Sequence, residues 1–581
     1  MAATAKVKQV LDRFKKLEMA KAPWLNSWQL IAEYVMTKKQ DFTSQPTEGS
    51  FLTGKIFDAT APMANHRMAS SLIGALWPNG AKTFEIKPPL TMKKEAAGSE
   101  DVKKYYQEIT KIMVDVIDNA KAGFIPALEE YMLDQGAFGI SGIGVYDNED
   151  REIPVRFVAV DAKKMCIDEG ADGFIDTVYI KKTMTVRQLV QEYGIKNVSE
   201  QTRKAYEKGN RLDDKVDVLQ VVEPRMDSNP NAIGSKNYPI AAIDIEMKQN
   251  HQLRESGYHS MPIFVTRFWK AAGEIYGRSP AFECMPDILE ANALREASII
   301  ATEKMLDPPL SVPDDGSYGG GVIDTSAGAI NIRKVSGRME DSHKIEELVT
   351  VVEMNSTFKR IGELKVNIEE HFFIDRLTDL NNDSRMTLGE ANIRNELRGQ
   401  SLGTIYARQI AELFERAIER VFEILFNKGM LGVSQEEEAN TLLDIETLII
   451  PDAVQDLLDR NLDAYKINFI SPAARIMRAE ELAGILKVMQ FVSEMAPVIP
   501  EVVDSVDIDE VVRLVVELTG APASILKSAD AIEEGRQARQ QMQMQMQQAE
   551  LQEQAAKTAK HFGQAAQASA KAGIYPYGLA A

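Results

Sequence analysis

Apolar positions repeat with helical spacing at the start of the chain, then with strand spacing, then with helical spacing again. From Lys6 to Met36 the residues Val10, Phe14, Leu17, Trp28, Ile31 and Val35 predict one or two amphipathic helices broken at Pro23. Further helices are predicted over 61–76, 101–122 and 125–135. After Gly136 the period shortens. The segments 143–146, 155–160, 177–181, 216–222, 240–247 and 263–269 are β-branched runs punctuated by Gly, Asp and Pro, as strands are.

A long helical hairpin then follows, from about Tyr276 to Phe373, and the rest of the chain reads as what this strut supports. Ser279-Pro280 supplies an N-cap and a first-turn proline, and the first arm runs to Leu306, where Asp307-Pro308-Pro309 stops it. A stretch rich in Gly, Asp and Ser, 310–338, forms a compact tip. The second arm is expected from Ser342 to Phe373, with apolar residues at 345, 348, 352, 358, 361, 364, 368 and 372. Each arm would span roughly 40 Å at 1.5 Å per residue. Thr387-Leu388-Gly389-Glu390 is a capping box opening a helix to Lys428, with a bend near Gly399 and Gly403 and a stop at Gly429. A helical block interrupted by prolines occupies 436–526. The Ala/Gln-rich run 528–571 predicts a long helix whose weak apolar face orders best against copies of itself.

The fold class is therefore α+β, predominantly helical. Charge narrows the function. A net charge of -19 and a pI near 5.0 argue against a general nucleic-acid glue, while leaving room for a protein that lets DNA pass without sticking. Cys166 and Cys284 are too few for a disulfide framework and fit a reducing compartment. No run is long and apolar enough for a membrane span and no signal-peptide core opens the chain, so a soluble protein without membrane partners is expected.

Candidate chemistry is sparse. Gly49-Ser50-Phe51-Leu52-Thr53-Gly54-Lys55-Ile56 nearly matches a phosphate-binding loop, but Ile56 stands where Ser or Thr would hold magnesium, and an exposed loop is the better reading. Asp379, Asn381, Asp383 and Glu390 take the spacing of a calcium loop, yet Ser384 replaces its turn glycine and Glu390 already serves the capping box. Gly139-Ile140-Ser141-Gly142-Ile143 fails as a nucleophile elbow. Histidines 66, 251, 259, 343, 371 and 561 lack ligand spacing. No active site, cofactor or metal is expected.

Several stretches, in order, resemble the head-to-tail connecting (portal) proteins of short-tailed, podovirus-type bacteriophages. They are Asp134-Gln135-Gly136-Ala137-Phe138-Gly139, Val221-Val222-Glu223-Pro224-Arg225, Glu274-Ile275-Tyr276-Gly277-Arg278-Ser279-Pro280, Met285-Pro286-Asp287-Ile288-Leu289-Glu290-Ala291-Asn292, Asp307-Pro308-Pro309, and the helix through Arg385, Glu390, Arg394, Glu396, Leu402 and Gly403. The resemblance spans roughly residues 20 to 430.

It implies a dodecameric ring at one capsid vertex, in the virion after assembly in the host cytoplasm. Residues 1–276 would be the wing, 277–306 and 339–373 the stem, 307–338 the clip and 374–386 the tunnel loop. Residues 387–430 would be a kinked wing/crown helix, 431–527 the crown and 528–581 a barrel helix and tail. The implied DNA-facing residues are Arg376, Asn381, Asn382, Asp383, Ser384 and Arg385. For the two arginines, helix-end solvation or intersubunit pairing is an equal reading, because exposed charges usually do little. Asp314, Asp315, Tyr318 and Asp324 are the implied docking residues of the clip. The implied partners are double-stranded DNA, a terminase packaging motor, tail adaptor proteins, and the major capsid and scaffolding proteins. The competing readings are a nucleotide-driven DNA translocase using the Gly49 loop and a helical scaffold without a channel.

Overall fold

A computed structural model describes residues 2–377 and 402–495, apart from 45–46, 48, 51, 79–82, 90, 94–95, 98, 210, 229–233, 315–322, 335–343, 349–353, 433–447, 461–463 and 471–478, together with scattered residues between 506 and 564. The chain divides into two compact units, Met1–Ala479 and Glu480–Ala581.

In the first unit, α1 (Ala2–Tyr34) is a single helix that continues through Pro23, against the expected break. Packing on both sides of the proline outweighs one missing hydrogen bond. Val7, Val10, Phe14 and Leu17 are buried before it and Trp28, Ile31 and Val35 after it. Next to it the Lys21 ammonium donates to the carbonyls of Ala162 and Met165, 3.0 and 2.8 Å away. Helices α2 (Thr60–Leu76), α3 (Glu100–Asp118) and α4 (Phe124–Phe138) follow as expected, except that α3 stops before the predicted Ala122. There the Asn119 side chain accepts from the Lys121 amide and opens a single 3-10 turn.

The β-rich block forms two antiparallel sheets. Strands β2 (Ile140–Asp147), β3 (Val155–Val160) and β9 (Ile263–Arg267) are ordered β3-β2-β9. Strands β4 (Met165–Glu169), β5 (Ile175–Thr185), β6 (Lys215–Pro224), β7 (Ile240–Glu246) and β8 (His251–Tyr258) form a meander in chain order. Alternation sorts β6. Leu219 and Val221 face the α1 cluster, whereas Val218 joins Leu189, Val198 and Leu253 on the other face. That second cluster anchors a small lobe, α5 (Val186–Tyr193) and α6 (Glu200–Glu207). β4 and β8 were not predicted. Nor were β1 (Phe84–Lys87) and β13 (Lys466–Phe469), which pair antiparallel from Phe84↔Phe469 to Lys87↔Lys466.

The hairpin departs from expectation in three ways. Its first arm is a short turn, α7 (Pro280–Glu283), then α8 (Met285–Leu306), with Cys284 out of helical geometry between them. Pro286 fits the first turn of a new helix better than the interior of an old one. The second helix, α9 (Asn355–His371), starts thirteen residues later than the expected Ser342. Upstream of it, Glu346–Glu347 is a strand, β12, so Ile345 and Leu348 are not helical. The arms are thus about 33 and 26 Å long at 1.5 Å per residue, short of the expected 40 Å. At the tip β12 pairs with β10 (Leu310–Asp314), which runs parallel to β11 (Ile330–Lys334).

After a turn of helix, α10 (Ile374–Leu377), the described chain resumes in α11, residues 402–427. Its irregularity is a π-helical stretch at Ile410–Phe414, beyond the expected bend at Gly403. Gly429 ends it in the left-handed region as expected, with φ of 68°. The capping box at Thr387 and Gly399 lie outside the described residues. Helix α12 (Asp452–Asp459) precedes β13.

The second unit takes up α13 (Ala479–Met495) and, within 535–561, residues that are helical wherever they are described, in keeping with the Ala/Gln-rich helix. Among the described residues no helix is long and apolar enough to cross a membrane.

Candidate functional site

Two of the quoted stretches, 134–139 and 274–280, meet at the root of the hairpin. Gly139, at φ 75°, caps α4 by donating to the Gln135 carbonyl, and its own carbonyl accepts from the Phe268 amide at 2.9 Å. Arg278 and Trp269 exchange backbone hydrogen bonds of 2.9 and 3.1 Å, which brings the 277–278 backbone against Gly139. A Cβ on Gly139 would lie 2.4 Å from the carbonyl carbon of Arg278, and one on Gly277 would lie 2.3 Å from the carbonyl oxygen of Gly139. Only glycine fits either place. The Ser279 hydroxyl donates to Ala137 O at 2.7 Å and accepts from the Phe282 amide at 3.0 Å, so one side chain ties α4 to the start of α7. Around this crossing Trp24, Trp28, Phe42, Phe138, Tyr276 and Phe282 pack with ring centroids 4.7–6.4 Å apart. The Arg278 guanidinium lies over Trp24 and Phe282 while it grips Glu274 at 2.9 and 2.6 Å.

Asn292 of α8 explains the near-match to a phosphate loop. Its side-chain oxygen accepts from the amides of Phe57 and Asp58 at 2.8 and 3.2 Å, and its NH2 donates to Lys55 O at 3.0 Å. Lys55 itself pairs with Glu33 at 2.8 Å. The backbone groups after Gly54 therefore hold the strut in place. No strand among the described residues leads into this loop, as a nucleotide cradle needs.

A second polar group crosses the β2/β9 sheet to α11. The Gln135 amide donates to Thr266, and the Tyr131 hydroxyl, also hydrogen-bonded to Thr266, donates to Gln409, immediately before the π stretch. Arg267 is 1% exposed and pairs with Glu169 at 2.7 Å and with Glu412, inside the π stretch, at 3.7 Å. Burial raises the Tyr131 pKa well above that of an ordinary phenol, so this network stays a neutral hydrogen-bond chain beside a charged triad. In the sequence, only an arginine at the end of an apolar strand hints at this network.

Along the strut, Ile361, Leu364 and Ile368 of α9 are buried, and Arg360 clasps Glu290 of α8 at 2.9 and 3.1 Å. Other apolar side chains of the same helices are exposed: Ile299, Ile300, Met305, Leu306, Phe358 and Val366. The tip adds Ile323, Ile330, Ile332 and Ile345.

Of the residues implied to dock partners, Asp324 is exposed, and its carboxylate accepts from the Ser326 amide at 2.9 Å. Its backbone is held by Asn331 at 2.7 and 2.6 Å. The hydrogen bonds from Ser326 lower the Asp324 pKa, and the residue makes a turn. Asp314 ends β10, while Asp315 and Tyr318 lie outside the described residues. Arg376 belongs to α10, and Asn381, Asn382, Asp383, Ser384 and Arg385 lie outside the described residues, as does the calcium-like loop 379–390. Ser141 is buried within β2. Both thiols are free and buried, and burial pushes Cys284 up to about 12, the opposite of an activated nucleophile. Among the described residues no group of His, Cys, Asp and Glu is arranged to hold a metal.

Similarity to known proteins covers nearly the whole chain. The profile of the family described as "Bacteriophage head to tail connecting protein" matches residues 7–526. The "Probable portal protein" of Bordetella phage BPP-1 is 24% identical over 576 residues, 97% of this chain and 96% of its own. The "Portal protein" of Salmonella phage epsilon15 is 24% identical over 549 residues, 93% and 92% of the two chains. A solved chain from the virion of a native gene transfer agent (GTA) particle covers 69% of this chain and 99% of its own at 12% identity, with a TM-score of 0.27, too low to bear on the fold. The family is structural and not enzymatic, in keeping with a strut whose polar groups are spent on holding helices and loops together. By the match over 7–526, the chain belongs to the bacteriophage head-to-tail connecting, or portal, protein family.

Proposed function

We propose that this chain forms a closed ring of twelve copies at one capsid vertex, a non-enzymatic conduit through which genome DNA is packaged and later ejected. The observation that carries the reading is the set of exposed apolar side chains along the strut, Ile299, Ile300, Met305, Leu306, Phe358 and Val366, in a family of head-to-tail connectors. Neighbouring copies in a ring supply partners that these side chains lack in one chain. The net charge of -19 suits a channel along which phosphates slide without strong binding.

In this reading the hairpin is the stem, and its tip, with Asp314, Asp315, Tyr318 and Asp324, docks the terminase packaging motor and then tail adaptors. Residues 374–386, with Arg376, Asn381, Asn382, Asp383, Ser384 and Arg385, face the passing duplex. The segment 1–276 is the wing and 431–527 the crown, with contacts to the major capsid and scaffolding proteins, and 528–571 continues the channel as a barrel. The host cytoplasm is where the ring is built. A nucleotide-driven translocase has no support in the Gly49 loop, since Lys55 is held by Glu33 and its backbone by Asn292.

The test is the native mass of the purified chain. Twelve copies of 64.6 kDa give about 775 kDa. A species of that mass supports the ring, and a monomer or open polymer at high concentration refutes it in favour of a scaffold without a channel.

A further inference from the structure

Against the overall negative charge, one segment is basic. Residues 181–215 hold nine Lys and Arg against five Asp and Glu, a local net of +4 in a chain of -19. Four of the nine, Lys204, Lys208, Arg211 and Lys215, line a cleft of about 580 Å³ beside the α5–α6 lobe. Three separate segments contribute cations to it. Lys204 and Lys208 come from α6 and its end, Arg211 from the connection into β6 and Lys215 from the first residue of that strand, and Lys248 from the β7–β8 turn. The placement is fixed. Lys215 is in register with Thr185 at the open end of β5, the Met247 amide donates to Asp217 O at 3.0 Å, and Gln249 hydrogen-bonds Gln201 of α6.

The acids lining the cleft are largely committed. Glu200 pairs with Lys204 at 2.6 Å and Asp214 with Arg211 at 2.7 Å. Glu246 is buried and accepts from the Ser199 and Thr202 hydroxyls at 2.9 and 2.8 Å, capping α6 from below. Lys208, Lys215 and Lys248 are exposed and form no ion pair among the described residues. Five cations and three acids leave the lining at +2. The surplus is carried by three flexible point charges arriving from three directions. Such a rim suits a ligand with several spaced anionic groups better than a single carboxylate, which a planar, bidentate arginine would hold. Its lining has no stacking aromatic, and its two side-chain amides, Gln201 and Gln249, hydrogen-bond each other, so it suits sequence-independent contact with phosphates.

We propose that the cleft beside the α5–α6 lobe is a binding site for the phosphodiester backbone of duplex nucleic acid. It is distinct from the 374–386 segment and depends on neither ring nor channel. The test uses the full chain and a labelled linear 30-base-pair duplex, with fluorescence anisotropy read between 50 and 200 mM NaCl. Three phosphate contacts correspond to a slope of about -2.7 in log K against log salt, or roughly a forty-fold loss of affinity over that range. The variant Lys208→Ala/Lys215→Ala/Lys248→Ala, altered only at exposed side chains, is expected to keep the parent's melting temperature and to lose about that much slope. Unchanged affinity and slope in the variant would overturn the proposal. So would lysine-dependent binding of poly-glutamate with no binding of duplex, which would assign the cleft to an acidic polypeptide. Displacement of the duplex by inorganic phosphate at matched ionic strength would reduce it to a single-anion site. Light scattering on the same samples reads the ring separately, so a monomer that still binds duplex through these lysines refutes the ring and not the cleft.

Discussion

Replacing Gly139 by Ala tests whether the crossing at the root of the strut is as rigid as its geometry requires. Two penalties add. An alanine held at φ 75° costs about 1–2 kcal/mol, because its Cβ crowds its own carbonyl in the left-handed region. The same Cβ would sit 2.4 Å from Arg278 C and 2.7 Å from Arg278 O, which are backbone atoms that no rotamer change can move away. Overpacking of this kind costs about 1–3 kcal/mol, so the sum is about 2–5 kcal/mol. Gly74→Ala is the internal control. It lies in α2 with nothing within 4 Å of the added Cβ, and there alanine is favoured over glycine by up to about 1 kcal/mol. The two substitutions, chemically identical, should move stability in opposite directions. The assay is urea unfolding followed by tryptophan fluorescence, since Trp24 and Trp28 both pack at this corner. Gly277→Ala presses on the other side of the same contact, so the double variant should cost less than the two single costs added. A Gly139→Ala midpoint equal to that of Gly74→Ala would refute the argument.

Two further outcomes are expected. Asp134 is buried, and desolvation, only partly offset by the Lys39 ammonium 2.7 Å away, pushes its carboxyl up to about 7. The native state therefore holds a proton that the unfolded chain releases near its ordinary value, and this group's contribution to stability is greatest below about pH 4 and declines as pH rises through 7. Asp134→Asn should lose less melting temperature than the parent between pH 5 and 8, and equal losses would contradict the assignment. Arg376→Ala/Arg385→Ala should change DNA packaging in a complementation assay while native mass shows an intact ring. Normal packaging and DNA retention would leave those arginines to helix-end solvation or intersubunit pairing.

The sequence reading succeeded where a local pattern has one physical meaning. The strands at 155–160 and 240–246 alternate or run β-branched between breakers, and Ser279 and Gly429 act as the cap and stop their types imply. It failed where the deciding contact is distant. Phe84-Glu85-Ile86-Lys87 is too short to announce a strand, and its partner is Lys466–Phe469, nearly 400 residues away. Apolar residues at 345 and 348 satisfy a helical stripe equally well, yet the Glu346–Glu347 backbone pairs with β10. At Pro23 the rule was right about the missing hydrogen bond and wrong about its consequence, because tertiary packing on both sides of α1 is worth more.

Asp134–Gly139 and Glu274–Pro280 could be matched as strings, but nothing in either string says that they touch. Their content becomes physical only at the crossing, where Gly139 and Gly277 admit no side chain and Ser279 reaches across to Ala137 O. Asn292 shows the same in reverse. As part of a motif it suggested nothing, while the loop it clamps, 55–58, imitated a nucleotide site. Net charge misled by averaging. A total of -19 excludes a protein that is adhesive to DNA everywhere, but it says nothing of a segment whose own balance is +4, or of a cleft in it where Glu200 and Asp214 are paired and Glu246 is buried. If the chain is the DNA conduit proposed above, an acidic whole with a basic cleft is a consistent division of labour. Weak repulsion over most of the surface would then prevent sticking, and contact would fall where Lys208, Lys215 and Lys248 can make it.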